Sequence, residues 1–492
     1  MKSNNIYLSA SFKGLLILCL VFASGCKKFL DIPLPLNKIA GEGAYSSDKS
    51  AAATLSNVFA TLAGSSYYQG AASNAYQTGL YTDELVNLNI NNPTNNAFFS
   101  NAVLPANTGP MWTVLYQNIY YLNLAIEGAG NSTTLIFKDQ WMGEAYFLRA
   151  LCYFTLTNYY GDAALITSSD FLVNKAIPRS PKAEVLKLVI ADLLKAQALL
   201  TNEYHNATGA VTATSKGRPN KFAATALLAR AYLYNSEWAA AEAQASSVIT
   251  TGTTVSYTLL PAADIDKVFL PASAETIYSF ALTTINQDYA AYNNNMLPSI
   301  PYNSLSWTNV AASLSPSLLN AFVPNSATLT DDRRKTYWLR ATTMAASGTI
   351  PAQTRYFPNK YKSNVVGGEN LVMLRLAEQY LIRAEARAML NNLTGAKEDL
   401  DQIRTRAGLT ASSAVTQPDV LAAILAERRL EFFSEMGHRL FDLRRSGKLD
   451  EVMNVVAPAK GVGATWNTQK QYFPIPIADV LANPNLTQTP GY

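Results

Sequence analysis

Two acids held a few ångströms apart are enough to hydrolyse a glycosidic bond, so paired carboxylates are the first residues to weigh. Asp83-Glu84 and Asp331-Asp332 are such pairs, although adjacent acids on loops commonly cap turns and helices or sit in water. A second concentration of charge lies near the C-terminus: Glu427, Arg428, Arg429, Glu431, His438, Arg439, Asp442, Arg444 and Arg445. A histidine among acids and bases suits proton transfer. The competing reading is a salt-bridged helix corner in which Glu427 and Glu431 face Arg partners, as charges at i, i+4 usually do. A third group has no charge. Tyr289, Tyr292, Tyr302 and Trp307 lie in a run with Asn286, Asn293, Asn294, Asn295 and Asn303. A sugar ring stacks an apolar face on such aromatics and pairs its hydroxyls with amides, without any titrating group. Tyr76 and Asp83, from the Asn-, Tyr- and Gly-rich stretch 65–109, join this set as candidate ligand contacts; of its amides, Asn294 and Asn303 are the ones selected. The competing role for each aromatic is to wedge a loop onto its scaffold.

Other chemistries lack a signature. There is no GxSxG elbow, HExxH, Walker loop, CxxC or GxGxxG after a strand. Two histidines, His205 and His438, exclude a His-rich metal site, and no cofactor is expected. Three cysteines provide no disulfide framework: Cys19 lies in an apolar run, Cys152 reads as a small buried hydrophobe, and Cys26 stands apart. The formal charge of +4 falls to +2 without Lys2 and Lys13, and no basic run is present, which argues against nucleic acid as a partner. Tyrosines number 27, against 19 Phe and 6 Trp, an excess that suits a wet binding surface.

Residues 1–25 read as an export signal: Lys2 and Lys13, then the apolar GLLILCLVFA, too short to span a membrane, then Ala23-Ser24-Gly25 before Cys26. Small residues before a cysteine form a lipobox, so Cys26 is expected to become an acylated first residue, with 26–45 as a tether.

The elements that must position these groups are helical. Ala52, Leu55, Val58, Phe59 and Leu62 recur at threes and fours; so do Trp112, Leu115, Ile119, Leu122 and Ile126. Helices are predicted over 46–63, 111–128, 137–160 and 184–200, with a helical hairpin over 222–249. Leu374, Ala377, Leu381, Ala384 and Ala388 predict another helix, Thr394 a cap for its partner, and Gly408 a left-handed stop. From Pro418 to Gly447 one long helix or two kinked ones follow. The stretch 65–109 reads as loop with short extended pieces, and 252–368 is the least regular third, with strands predicted at 276–282 and 337–343. Ala229, Tyr232, Trp238, Ala241 and Ala245 fall near tetratricopeptide offsets, as do Ala384, Leu393, Ala396 and Leu400. Small residues there let paired helices approach closely.

Three segments resemble the signatures of the SusD/RagB family of Bacteroidota outer-membrane lipoproteins. They are ERRLEFFSEMGHRLFDLRRSGK (427–448), departing at Met436; GEAYFLRALCYFTLTNYYGDAALI (143–166), with Ala164 where the family has Pro; and the ending PIPIADVLANPNLTQTPGY, with Asp479 for Glu. KKFLDIPLP after Cys26 resembles the family's tether. The resemblance implies a mainly α, tetratricopeptide-like helical-hairpin scaffold with long irregular loop insertions and a few short strands. It divides the chain into an N-terminal helical part (46–250), a loop-rich insertion carrying the ligand face (251–370) and a C-terminal helical part (371–492), all within one compact unit. It further implies a non-enzymatic, lipid-anchored protein at the cell exterior. Such a protein binds an oligosaccharide or polysaccharide and delivers it to a TonB-dependent, SusC-like transporter. A peptide ligand, or a hydrolase using paired carboxylates, are the alternatives.

Overall fold

Alanines decide how the helices of this chain meet. In the computed structural model, which describes residues 43–64, 73–89, 91–213, 215–250, 255–281, 312–322, 332–344, 346, 351–362 and 368–492, they line the facing sides of successive antiparallel helices. The long helices are α1 (Asp48–Ala63), α2 (Asn74–Tyr81), α3 (Pro93–Phe99), α4 (Pro105–Asn131), α5 (Lys138–Tyr160), α6 (Lys182–Leu199), α7 (Lys221–Tyr234) and α8 (Trp238–Ile249). In the C-terminal part follow α9 (Leu376–Met389), α10 (Leu393–Arg406), α11 (Gln417–Phe432), α12 (His438–Arg445) and α13 (Leu449–Ala459). Packing runs from α1 to α4 to α5 to α6 to α7 to α8, passes from α8 to α9, and continues through α10 and α11. The hairpin stack therefore closes across the long insertion between Ile249 and Leu376. The molecule is mainly helical, with few short strands.

Ala377, Leu381, Ala384, Ala388, Ala396, Leu400 and Ile403 are sealed in one core cluster with Val420, Ile424 and Phe432. This is the stripe that the spacing predicts, with one exception. Leu374 belongs to a strand, because Leu371–Arg375 pairs antiparallel with Thr276–Phe280 and the helix begins only at Leu376. Asn392, not Thr394, caps α10 by accepting from the Gly395 amide at 3.1 Å. Gly408 does take φ +82°, the left-handed stop. Thr416 and Asp419 close a reciprocal cap at the start of α11, with Pro418 in its first turn.

The described strands pair in twos. They are β1 (Leu85–Asn87) with β3 (Ala312–Leu314), β2 (Thr276–Phe280) with β6 (Leu371–Arg375), and β4 (Leu339–Met344) with β5 (Gln353–Pro358), plus two two-residue ladders, Ala163–Ala164 with Arg179–Ser180 and Tyr204–His205 with Val211–Thr212. The second predicted strand starts late because Arg333–Trp338 is a helical turn capped by Asp332. The stretch 65–109 is more helical than its composition suggests: α2 and α3 lie within it, capped by Ser73 and Asn92, and α4 starts at Pro105 rather than Met111. Its residues 65–72 and 90 lie outside the described residues. Tyr45–Tyr492 folds as one compact unit.

The C-terminal charge cluster is interior. Glu431 is wholly buried and receives Arg375 at 2.5 Å, Arg334 at 3.3 Å, and Arg406. Arg334 also meets Glu427 at 2.6 Å and Asp332 at 2.8 Å; Glu427 takes Arg404 at 3.3 Å. Arg375 reaches Glu435 at 3.0 Å, which Lys360 joins at 2.5 Å, and Arg406 also pairs with Glu275. Five carboxylates and five cations thus form one connected, neutral network. Burial alone would raise the Glu431 carboxyl; Arg406, Arg375 and Arg334 overcome it and hold it far below the usual range. The salt-bridged reading of this region holds, but the partners of Glu427 and Glu431 come from other elements, not from neighbours on their helix. Removing one charge from such a site strands the others. Glu431→Gln is expected to cost about 3–5 kcal/mol in urea unfolding, whereas Lys187→Ala, at an exposed pair, should change stability by less than about 0.5 kcal/mol.

Candidate functional site at the β1–β3 junction

β1 follows Asp83-Glu84 directly, and β3 follows 282–311 directly. Their antiparallel register sets Leu85 against Leu314, Val86 against Ser313 and Asn87 against Ala312. The amide-rich turn that leaves Asn87 therefore starts beside the point where 282–311 ends. The candidate residues Tyr289, Tyr292, Asn294, Tyr302, Asn303 and Trp307 all fall in that stretch and lie outside the described residues.

The base of the junction is fixed by charge. Asp83 accepts from Nε and Nη2 of Arg439, each at 2.8 Å, and faces Arg429 at 2.9 Å. Arg429 also donates to Ser317 Oγ at 2.9 Å. The Ser315 amide donates to the Glu84 carbonyl at 2.8 Å, its hydroxyl donates to the Asp83 carbonyl, and its oxygen caps helix Pro316–Ala321. Two arginines of the C-terminal signature thus aim both strands.

Above this base the turn is built of amides. Asn87 Nδ2 donates to Asn96 Oδ1 at 2.5 Å, and the Asn89 amide donates to Asn87 Oδ1 at 3.2 Å. Asn92 Oδ1 caps α3 by accepting from the Asn95 amide at 3.0 Å. Asn91 is exposed, and Asn89, Asn92 and Asn96 are half-buried. The turn presents neutral donors and acceptors to solvent, which suits an uncharged, hydroxyl-rich ligand. These asparagines are not among the residues that composition singles out. The string Asn91-Asn92-Pro93-Thr94-Asn95-Asn96 is their visible signal.

Two candidates require correction. Tyr76 is wholly buried on α2, its hydroxyl accepting from Asn95 Nδ2 at 3.4 Å, so its ring is packed and unavailable for stacking. Asp83 is 4 % exposed and committed to its arginines. Nor do Asp83 and Glu84 form an open acid pair. Burial would raise the Asp83 carboxyl, but Arg439 and Arg429 hold it at about 2. Burial, then the Asp83 charge, pushes Glu84 up to about 7 against those same guanidiniums. In the other predicted pair, Asp331 lies outside the described residues, and buried Asp332 pairs with Arg334. His438 is buried, stacked on Phe432 with centroids 4.7 Å apart; burial and then Arg230 and Arg428 keep it neutral. Among the described residues no group of His, Cys, Asp and Glu could hold a metal ion.

Glu84 yields a test with a definite sign. Its folded pKa lies above its unfolded one, so the folded state keeps a proton that the unfolded state loses, and stability falls as pH rises from about 4.5 to about 7. Glu84→Gln removes that loss. It should stabilise the protein at pH 8 by on the order of 1–3 kcal/mol, and the gain should shrink toward pH 4.5, as read by thermal melts across pH.

Both halves of the chain match family descriptions. Residues 274–492 match the SusD family, and residues 44–233 match a family described as starch-binding associating with outer membrane. SusD-like protein P38 of Formosa agariphila is 25% identical across 98% of this chain and 99% of its own, and SusD-like protein P25 of the same organism is 24% identical across 94% and 95%. A SusD-like protein from Bacteroides fragilis shares the fold with a TM-score of 0.76 at 20% identity, covering 94% of this chain and 100% of its own. A laminarin-binding SusD-like protein does so with a TM-score of 0.71 at 21% identity, covering 90% and 99%. With these matches on its two halves and a shared architecture along most of its length, the chain belongs to the SusD family.

Proposed function

We propose that this protein captures an oligosaccharide or polysaccharide at the outer membrane and delivers it to a TonB-dependent, SusC-like transporter, breaking no bond. The observation that carries this reading is the β1–β3 junction. It sets a solvent-facing amide turn beside the end of the aromatic- and amide-rich stretch 282–311, on a base locked by Asp83, Arg429 and Arg439. A neutral polar turn suits sugar hydroxyls, and the planar side chains in the sequence of 282–311 are of the type that stacks on the apolar faces of sugar rings. The family description of starch binding with outer-membrane association and the laminarin-binding fold relative support the same ligand class. Within 282–311, Tyr289, Tyr292, Tyr302 and Trp307 supply the stacking faces, and Asn294 and Asn303 the amides.

Attachment is by acylation of Cys26, with the protein facing the exterior. No helix of the described residues is long and apolar enough to cross a membrane. Cys26 lies outside the described residues, and its role rests on the small residues before it.

Gel electrophoresis through laminarin, starch and other soluble polysaccharides tests the binding: retarded migration with no rise in reducing ends is the expected result, and reducing ends that accumulate with time would overturn it. Trp307→Ala should weaken binding to the retarding polysaccharide by about 1–3 kcal/mol in calorimetry with an unchanged melt. Cys26→Ala should abolish palmitate incorporation in labelled cells; persistent label would disprove the anchor.

A further inference from the structure

A cavity of about 460 Å³ opens beside the hairpin of Tyr204–His205 with Val211–Thr212, sharing no residue with the β1–β3 junction. Its volume lies within the roughly 300–1,000 Å³ typical of ligand sites. Val211, Val255, Pro271 and Ala272 give it an apolar wall, and Glu203 and Lys216 are its charged groups.

Lys216 is held in place but not neutralised. Its carbonyl accepts from the Ser279 amide at 3.2 Å, which pins its backbone to the edge of β2. Its ammonium donates to the carbonyls of Ser273 at 2.9 Å and Thr276 at 2.7 Å, and sits 5.4 Å from the centroid of the Tyr257 ring. Three N–H groups serve an ammonium, so two such bonds leave one. Among the described residues no carboxylate pairs with it. Glu275, on the same loop, is committed to Arg406 and to the Leu260 amide at 2.9 Å. Burial without a counter-charge lowers Lys216 to about 8, so it stays mainly protonated at neutral pH while lacking both full hydration and an anion. Glu203 brings a carboxylate with no ion pair among the described residues, able to accept from hydroxyls.

We infer that this cavity binds a small carboxylate-bearing saccharide, its carboxylate on Lys216, its ring hydroxyls toward Glu203 and Ser256, and its apolar face against Val211 and Pro271. The cation selects the acid over the neutral sugar of the same size. Apolar walls accept either ring.

Calorimetry of the full chain with D-galacturonate, and with D-galactose as the neutral control, tests this. Saturable binding of galacturonate is expected, with galactose weaker by about tenfold or more, the margin of one charge-assisted hydrogen bond. Lys216→Met should bring galacturonate down to the level of galactose. Because Lys216 also ties the Ser273–Thr276 loop, Ala272→Trp provides a second variant, filling the cavity from an exposed position without touching the Lys216 bonds, and should block galacturonate with an unchanged melt. The inference fails if galacturonate does not saturate the unaltered chain, if the two sugars bind alike, or if Ala272→Trp binds galacturonate undiminished. Retention by neutral polysaccharide gels is a separate readout, so either site can fail without the other.

Discussion

The buried carboxylate of Glu431, shared among Arg375, Arg406 and Arg334, is the constraint on which the C-terminal half is built. An ionised group with no exposure is tolerated only when its charge and lone pairs are answered in place. Here the answers come from the end of β6, the end of α10 and the Arg333–Trp338 turn, while Glu435, Glu275, Glu427 and Asp332 balance those cations in turn and Lys360 adds a second cation to Glu435. Moving any one element would expose an unpaired charge to a low-dielectric interior. The network therefore specifies relative position more strongly than it adds stability, since apolar residues of the same volume can pack as well.

The same logic explains the signature motifs. Arg149, in the central signature, holds Asp192 of α6 with two bonds of 2.7 and 2.8 Å and Asn123 of α4 at 2.8 Å. In the C-terminal signature, Arg428 takes Asp442 at 2.8 Å, and Arg445 takes Glu385 and Asp442. The ending clasps main chain: Gln488 exchanges two bonds with Ile475, and Asn483 and Asn485 donate to the carbonyls of Ile177 and Ala176. These residues are most motif-like because each has several geometric obligations at once. They make a frame. In the function we propose, recognition falls to segments that the frame holds at their ends, such as the turn after β1, where sequence can vary without disturbing buried charge.

Arg429 and Arg439 join the two roles. They belong to the C-terminal signature yet spend their charge on Asp83, and through it they hold β1 beside β3. Gly437, at φ +75°, permits that approach. It sits where a Cβ would meet Asn74 Oδ1 at 2.6 Å, so the chain can turn between α11 and α12 against α2 only without a side chain. Ser434 and Met436 also take positive φ in this turn, which makes the break sharper than a kink.

What the sequence determined by itself is what neighbours within a few residues can encode. Helix identity, the alanine-rich stripe shared by α9 and α10, the left-handed stop at Gly408 and the family signatures all follow from spacing along one chain segment. What only the tertiary structure decided is what distant segments do to each other. The pairing of Leu371–Arg375 with Thr276–Phe280 removed Leu374 from its apparent helix. The arginines that meet Glu427 and Glu431 come from elsewhere in the chain, and Tyr76 and Asp83 turned out to be interior because their neighbours in space, Asn95, Arg429 and Arg439, are invisible in local composition. Helical periodicity is a short-range property of the backbone. Burial and ion pairing depend on which surfaces meet, and those meetings are set by the whole stack.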